Sequence, residues 1–343
     1  MSAELTDGVR AFCDRHGIRA PLVLEPMGAG RNSRVMRLCN QEGQWMLKDY
    51  GPPGRSAGRG HDRLGAEFAF LEYLEHGNIA DVARPIGMDR DLHSALYSWL
   101  PGARPTRITA DYINQAAQFI VSVNRDRMTP RAGALAGAAD ACQSSHDHLA
   151  LIRARLTRLT ALDPRSVVEE QALALVVDRY VPAWQALEET LIDGIAATRK
   201  TTQILSPSDF GFHNALAHQE RLSFVDFEYA GWDDPAKLIC DFICQPELPI
   251  TSAQGLQFIE HLTDALPHAG DLRHRVEWLL PAHRLKWCCI LLNEFRPEYH
   301  RRRLHAGIAS EGLLTAQLDK ARSYFNEHVN ESPNISDHAP AAP

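Results

Sequence analysis

Between Ser206 and Asp241 the chain reads SPSDFGFHNALAHQERLSFVDFEYAGWDDPAKLICD. One carboxylate, Asp209, is followed by a carboxamide, Asn214, in D-x-x-x-x-N spacing. A short apolar run, Leu222-Ser223-Phe224-Val225, then ends in a second carboxylate, Asp226. A D-x-x-x-x-N pair alone is ordinary turn chemistry, because Asp and Asn side chains readily cap backbone turns. Joined to a strand that delivers another carboxylate, it has the order of parts that phosphoryl transfer requires. That reaction asks for little covalent work and much positioning of a hydroxyl, a phosphate chain and a divalent cation. An aspartate opening a tight loop can accept the hydrogen bond of an incoming hydroxyl. Hard Mg²⁺ keeps several waters and takes only a few protein oxygens, which Asn214 and Asp226 can supply.

Upstream residues provide matching parts. Leu22 to Met27 is a strand running into Gly28-Ala29-Gly30-Arg31-Asn32-Ser33, and Val35, Met36 and Leu38 continue as a second strand. Such a flap presents backbone N–H groups that can cover phosphates, glycine allowing close approach, although a Gly-Ala-Gly hairpin turn is also common without that duty. Trp45-Met46-Leu47-Lys48 is an apolar strand interrupted by one lysine. A helix beginning near Asp62 carries Leu64, Phe68, Leu71 and Leu74 on one face, with Glu67 beside that stripe and Glu72 elsewhere around the turn. Two more strands, Val82 to Met88 and Ser94 to Trp99, are joined by a polar turn, and the second leaves through Leu100-Pro101-Gly102.

From about Leu22 to Asp241 these residues resemble the aminoglycoside phosphotransferase and choline kinase group of small-molecule kinases. The resemblance implies an α+β, protein-kinase-like bilobal fold. A small antiparallel-sheet N-lobe (residues 1–100) would bind nucleotide, a larger, mainly helical C-lobe (101–330) would carry catalysis and the acceptor, and 331–343 would form a disordered tail. It implies ATP and Mg²⁺ as cofactors, Asp209 orienting the acceptor hydroxyl, and Asn214 and Asp226 on the metal. Gly28, Gly30 and Ser33 would cover the phosphates, and Lys48 would hold them with Glu67 as its partner, Glu72 being the competing choice. Main-chain groups of Ser98 and Leu100 would meet the adenine edge, and such backbone recognition leaves ATP versus GTP unwritten in the sequence. The chain departs from the family at Pro207 and Ser208, which stand where a His and a Gly usually precede the loop aspartate. The His normally braces that loop through its backbone. Asp241 lies three residues beyond the comparable family aspartate and inherits no role.

The rest of the chain sets limits. A length of 343 residues with 45% hydrophobic content accommodates two lobes, each with its own core. A formal charge of -7, from 36 basic and 43 acidic residues, argues against nucleic acid as the main partner. Seven cysteines without a C-x-x-C pair point to free thiols in a reducing compartment. With no spanning apolar run and no secretory h-region, a cytoplasmic location away from membranes is expected. Helical periodicity dominates after Ala103, with bends or breaks expected at Pro182 and Pro281. His146 and His148 read as solvated helix residues and Arg301-Arg302-Arg303 as a surface run, while Lys286, Asn293 and Glu294 are candidates for an acceptor cleft. The A-P-E element of protein kinases is missing. The expected partner is therefore a small hydroxyl acceptor: by resemblance a sugar, aminosugar or aminocyclitol, then an amino alcohol. The alternative is a catalytically impaired nucleotide-binding protein acting as an interaction module. The missing loop His supports it; Lys48, Asp209, Asn214 and Asp226, all in place, oppose it.

Overall fold

The computed structural model describes residues 6–27, 32–51, 61–194, 201–266, 271–306 and 312–330. Five strands, β1 (Val23–Met27), β2 (Arg34–Cys39), β3 (Gln44–Asp49), β4 (Pro85–Asp89) and β5 (Ser94–Ser98), form one antiparallel sheet in the order β1-β2-β3-β5-β4. Strand side chains alternate between faces. The observed register therefore puts Leu38, Leu47 and Leu96 on one face and Lys48, Ala95 and Tyr97 on the other. Helix α1 (Asp7–Arg15) closes the first face with Phe12 and Cys13. Helix α2 (Arg63–His76), capped by Asp62 accepting from Gly65 N at 3.0 Å, covers the second, its Phe68 ring 6.2 Å from Tyr97. One lysine thus lies on a face otherwise filled by α2, which is why Lys48 is buried instead of solvated.

The second half is helical: α3 (Ala110–Val123), α4 (Pro130–Gly133), α5 (Ser145–Thr160), α6 (Val167–Leu175), α7 (Val181–Gly194), α8 (Pro235–Cys244), α9 (Ser252–Ala265), α10 (Leu272–Leu291), α11 (Pro297–Ala306) and α12 (Leu313–Phe325). Two ribbons are set among them. β6 (Ile204–Ser206) pairs with β9 (Gly231–Asp233), and β7 (Ala215–His218) pairs with β8 (Arg221–Phe224). The bend expected ahead of Pro182 is a π-helical turn over Val176–Tyr180. At Pro281 helix α10 continues without a break, because most of its residues are buried and packing outweighs one lost backbone hydrogen bond.

An aromatic cluster fixes the backbone around Asp209 and Asp226. Their sequence neighbours Phe210, Phe224 and Phe227 pack on Phe119 of α3 with ring centroids 5.8, 4.5 and 6.1 Å away. Phe210 also meets Phe242 of α8 at 5.7 Å, which stacks on Phe258 of α9 at 3.9 Å. Each such pair is worth about 0.5–1.5 kcal/mol beyond its buried area, so the chain beside both aspartates is held by the core.

Candidate active site

The strand lysine is the centre of the site. Lys48 Nζ lies 2.6 Å from Glu67 Oε2 of α2, 2.6 Å from Asp226 Oδ1 and 3.6 Å from Glu228 Oε2. Glu67, not Glu72, is its helix partner, and Glu67 Oε1 also accepts from Phe227 N at 3.2 Å, tying α2 to the segment after β8. Burial alone would lower the Lys48 pKa. Asp226, Glu67 and Glu228 outweigh it and hold the ammonium well above its ordinary value. Burial raises the Asp226 carboxyl, with Glu228 and Glu67 adding to the rise and Lys48 opposing it.

The loop after β6 brings up the other groups. Asn124, the C-cap of α3, pins its entrance by donating to Leu205 O at 3.0 Å and accepting from Leu205 N at 2.9 Å. Ser206 Oγ then accepts from Ser208 N at 3.0 Å, which leaves Ser208 in the left-handed region at φ 68°. Asn214 Nδ2 donates to Asp209 O at 2.9 Å, and Asn214 O accepts from Val225 N at 3.0 Å. The loop is thereby linked to the end of β8, where Asp226 itself sits at φ 69°. Non-glycine residues in that region are uncommon and strained, and surrounding structure must impose them. His213 Nε2 lies 3.2 Å from Asp209 Oδ1, while its Nδ1 is buried without a partner. Gly211 makes room for the ring, since a Cβ there would stand 2.8 Å from Nδ1.

Two residues not singled out from the sequence complete the site under the flap. Glu228, two positions past Asp226 in the turn that follows β8, accepts from Ser33 Oγ at 3.0 Å, Asn32 Nδ2 at 3.1 Å and Arg63 Nη1 at 3.2 Å. Although burial would raise this carboxyl, Lys48 and Arg63 hold it below the usual range. Gly28 and Gly30 lie outside the described residues. At the end of β5, Ser98 N donates to Arg84 O at 2.9 Å and Ser98 Oγ accepts from Arg84 N at 2.8 Å, so its N–H is already engaged. Half-buried Leu100 lies just beyond β5. There Gly102, at φ 124°, packs where a Cβ would come within 2.8 Å of Ala217 O.

A sequence profile described as the phosphotransferase enzyme family matches residues 23–279. The chain belongs to this family. Among solved structures, a choline/ethanolamine kinase family protein from Mesorhizobium loti is similar at TM-score 0.56 and 15% identity, covering 97% of each chain. A spectinomycin phosphotransferase in complex with ADP and spectinomycin is similar at TM-score 0.60 and 11% identity, over 93% of this chain and 99% of that one. A macrolide 2'-phosphotransferase from Brachybacterium faecium follows at TM-score 0.56 and 17% identity, over 89% and 100%. At these identities the likeness is one of fold. No curated protein matches this chain in sequence.

The donor set of this phosphotransferase fits a hard divalent cation. Asp226, about a third open, has its second carboxylate oxygen to offer, whereas Glu67 and Glu228, grouped with it within 4.8 Å, are taken up by Lys48, Phe227 N, Ser33, Asn32 and Arg63. The amide of Asn214, fixed through Nδ2, keeps its oxygen free of hydrogen bonds among the described residues. Oxygen donors without sulfur or imidazole are the chemistry of Mg²⁺.

Several residues that read as solvated or as acceptor candidates in the sequence are instead buried in ion pairs and hydrogen bonds among the helices. Asp241 accepts from Lys286, from Trp287 Nε1 at 3.0 Å and from His283 Nδ1 at 3.3 Å, with Lys237 Nζ 3.7 Å away. His283 Nε2 meets His148 Nδ1 at 2.9 Å, and His148 Nε2 lies 3.2 Å from Asp234, which also binds Arg275. His148 is therefore a fully buried bridge, not a solvated residue, and Lys286 is spent on Asp241. Glu294 is likewise spent on Arg303, which is buried and not on the surface. Sequence periodicity shows which helix face is apolar, but not that oppositely charged side chains from α5, α8 and α10 will meet inside it.

Proposed function

We propose that this protein is an ATP- and Mg²⁺-dependent kinase that phosphorylates a hydroxyl of a small polar molecule. A sugar, aminosugar or aminocyclitol is the first acceptor class and an amino alcohol the second. The observation that carries this reading is the meeting of Lys48, Glu67 and Asp226 at hydrogen-bond distance, next to a loop that holds Asp209 and Asn214 together. In this reading Lys48, oriented by Glu67, binds the phosphate chain as a point charge. Asn214 and Asp226 hold Mg²⁺, which would neutralise charge on the phosphates. Asp209 accepts the acceptor's hydroxyl hydrogen and aligns its oxygen for in-line attack, His213 fixing the other side of the carboxylate.

The family assignment and the nucleotide-bound neighbour support nucleotide use. All seven cysteines are free, which supports action in a reducing cytoplasm. No described helix is long and apolar enough to cross a membrane. The deciding experiment is a screen of sugars, aminoglycosides, amino alcohols and nucleosides for acceptor-stimulated ADP release with Mg²⁺. Stimulation by one class names the acceptor. Tight nucleotide binding with no transfer to any of them would leave an impaired binding module in its place.

A further inference from the structure

The carboxylate of Glu228 is 1% exposed and sits among two neutral donors, Ser33 Oγ and Asn32 Nδ2, and two cations, Arg63 and Lys48. That is the donor set a phosphate oxygen takes. Asn32 and Ser33 end the glycine flap, and Lys48 is the lysine assigned above to the phosphates. Arg63 opens α2 and is the remaining member. One edge of its guanidinium is anchored on Tyr50 O, and Nη1 also reaches Asn32 O at 3.1 Å and Ser33 Oγ at 3.2 Å, so the fork is aimed under the flap. The Asn32 amide is turned to donate to the anion and to the Tyr229 hydroxyl, each at 3.1 Å, leaving Oδ1 buried without a partner. We propose that Arg63 is a ligand of the nucleotide's phosphate chain, and that Glu228 occupies this anion site as an internal stand-in until nucleotide displaces it.

The charge count supports the exchange. Glu67, Asp226 and Glu228 already crowd around Lys48 within 4.8 Å of one another. A polyphosphate placed beside them with Glu228 still in position would set anion against anion at close range. If Arg63 passes from Glu228 to phosphate, its guanidinium keeps an anionic partner in each state. The flap, β3, α2 and the segment after β8 then stay joined through the exchange. This inference rests on the kinase reading and adds Arg63 to it.

Equilibrium titrations with ATP, ADP and adenosine, with Mg²⁺ and in EDTA, test it. Wild-type protein must saturate with ATP; if it binds no adenine or guanine nucleotide, the kinase reading itself falls. Given saturation, Arg63→Gln is expected to weaken ATP at least tenfold and leave adenosine unchanged, adenosine serving as the control for folding, with Arg63→Lys in between. Glu228→Gln, which keeps the shape and removes the charge, is expected to tighten ATP binding at least threefold in EDTA. ATP affinity unchanged in Arg63→Gln, or weakened in EDTA by Glu228→Gln, overturns the proposal while leaving the kinase reading intact.

Discussion

Lys48 Nζ and Asp226 Oδ1 stand 2.6 Å apart although 178 residues separate them in sequence. The contact joins the third strand of the sheet to the segment after β8, and with Glu67 and Glu228 it surrounds one buried ammonium with three carboxylates.

Removing that ammonium should expose the repulsion it suppresses. Lys48→Met is expected to cost about 3–5 kcal/mol, the usual penalty for leaving buried charge unpaired. Because burial and the other carboxylates push Asp226 upward in pKa, its protonation relieves the crowding. The deficit against wild type should therefore shrink as pH is lowered from 8 to 5.5. Denaturant melts of both proteins at the two pH values measure this, and a pH-independent deficit contradicts the charge account.

Among the described residues the Asp209 carboxylate meets only the His213 ring, and over a third of its side chain is open. Asp209→Asn should lower kcat by roughly 10²–10⁴-fold while leaving the nucleotide dissociation constant nearly unchanged. Single-turnover transfer and nucleotide titration separate the two effects. Turnover that survives the substitution assigns the hydroxyl to another group.

His213 should act only through Asp209. We expect His213→Ala to reduce kcat about tenfold, and the double variant with Asp209→Asn to be no slower than Asp209→Asn alone, as residues working as one unit behave. Additive losses would mean that His213 has a separate role.

The buried network around Asp241 is a folding element. Asp241→Asn leaves buried Lys286 without its counter-ion, while Lys237 keeps Asp233 at 2.7 Å, and should cost about 3–5 kcal/mol, read as a lower denaturant midpoint at unchanged slope.

Acid sensitivity arises from the same network. Burial and Lys286 lower the His283 pKa to about 3, with Asp241 opposing, whereas an unfolded histidine titrates near 6.5. The unfolded chain therefore binds a proton that the folded chain refuses, and stability must fall as pH drops from about 6.5 toward 3, by up to ~1.4 kcal/mol per pH unit from this group. Asp241 acts in a separate, lower window. Lys286 and His283 outweigh burial and hold it well below the usual carboxylate range, so its contribution is complete above about pH 4 and is lost below. Melts between pH 7 and 4.5 should show a shallower slope in His283→Gln than in wild type.

The first strands, α2 and the Asp209, Asn214 and Asp226 order are legible in the sequence because each is a local pattern: alternation, an amphipathic stripe, a turn of fixed spacing. The family resemblance turns those patterns into a fold, and the profile match and the neighbours' architecture agree with it. His148 and Lys286 mislead for the converse reason, since a charged or polar residue on a helix looks solvated until its partner from another helix is known. The substitute for the missing loop brace is equally invisible in the sequence. Asn124, 81 residues upstream, grips the entrance of the loop instead.

By itself, then, the sequence determined which residue types lie at which spacing, and so the class of chemistry the chain can support. Only the tertiary structure decided that Lys48 takes Glu67 over Glu72, that Glu228 and Arg63 stand under the flap, and that Asp241 anchors a buried charge network. Those choices depend on distances between segments up to 196 residues apart. Electrostatic pairing in a low-dielectric interior depends on such distances and on burial, neither of which a linear pattern encodes.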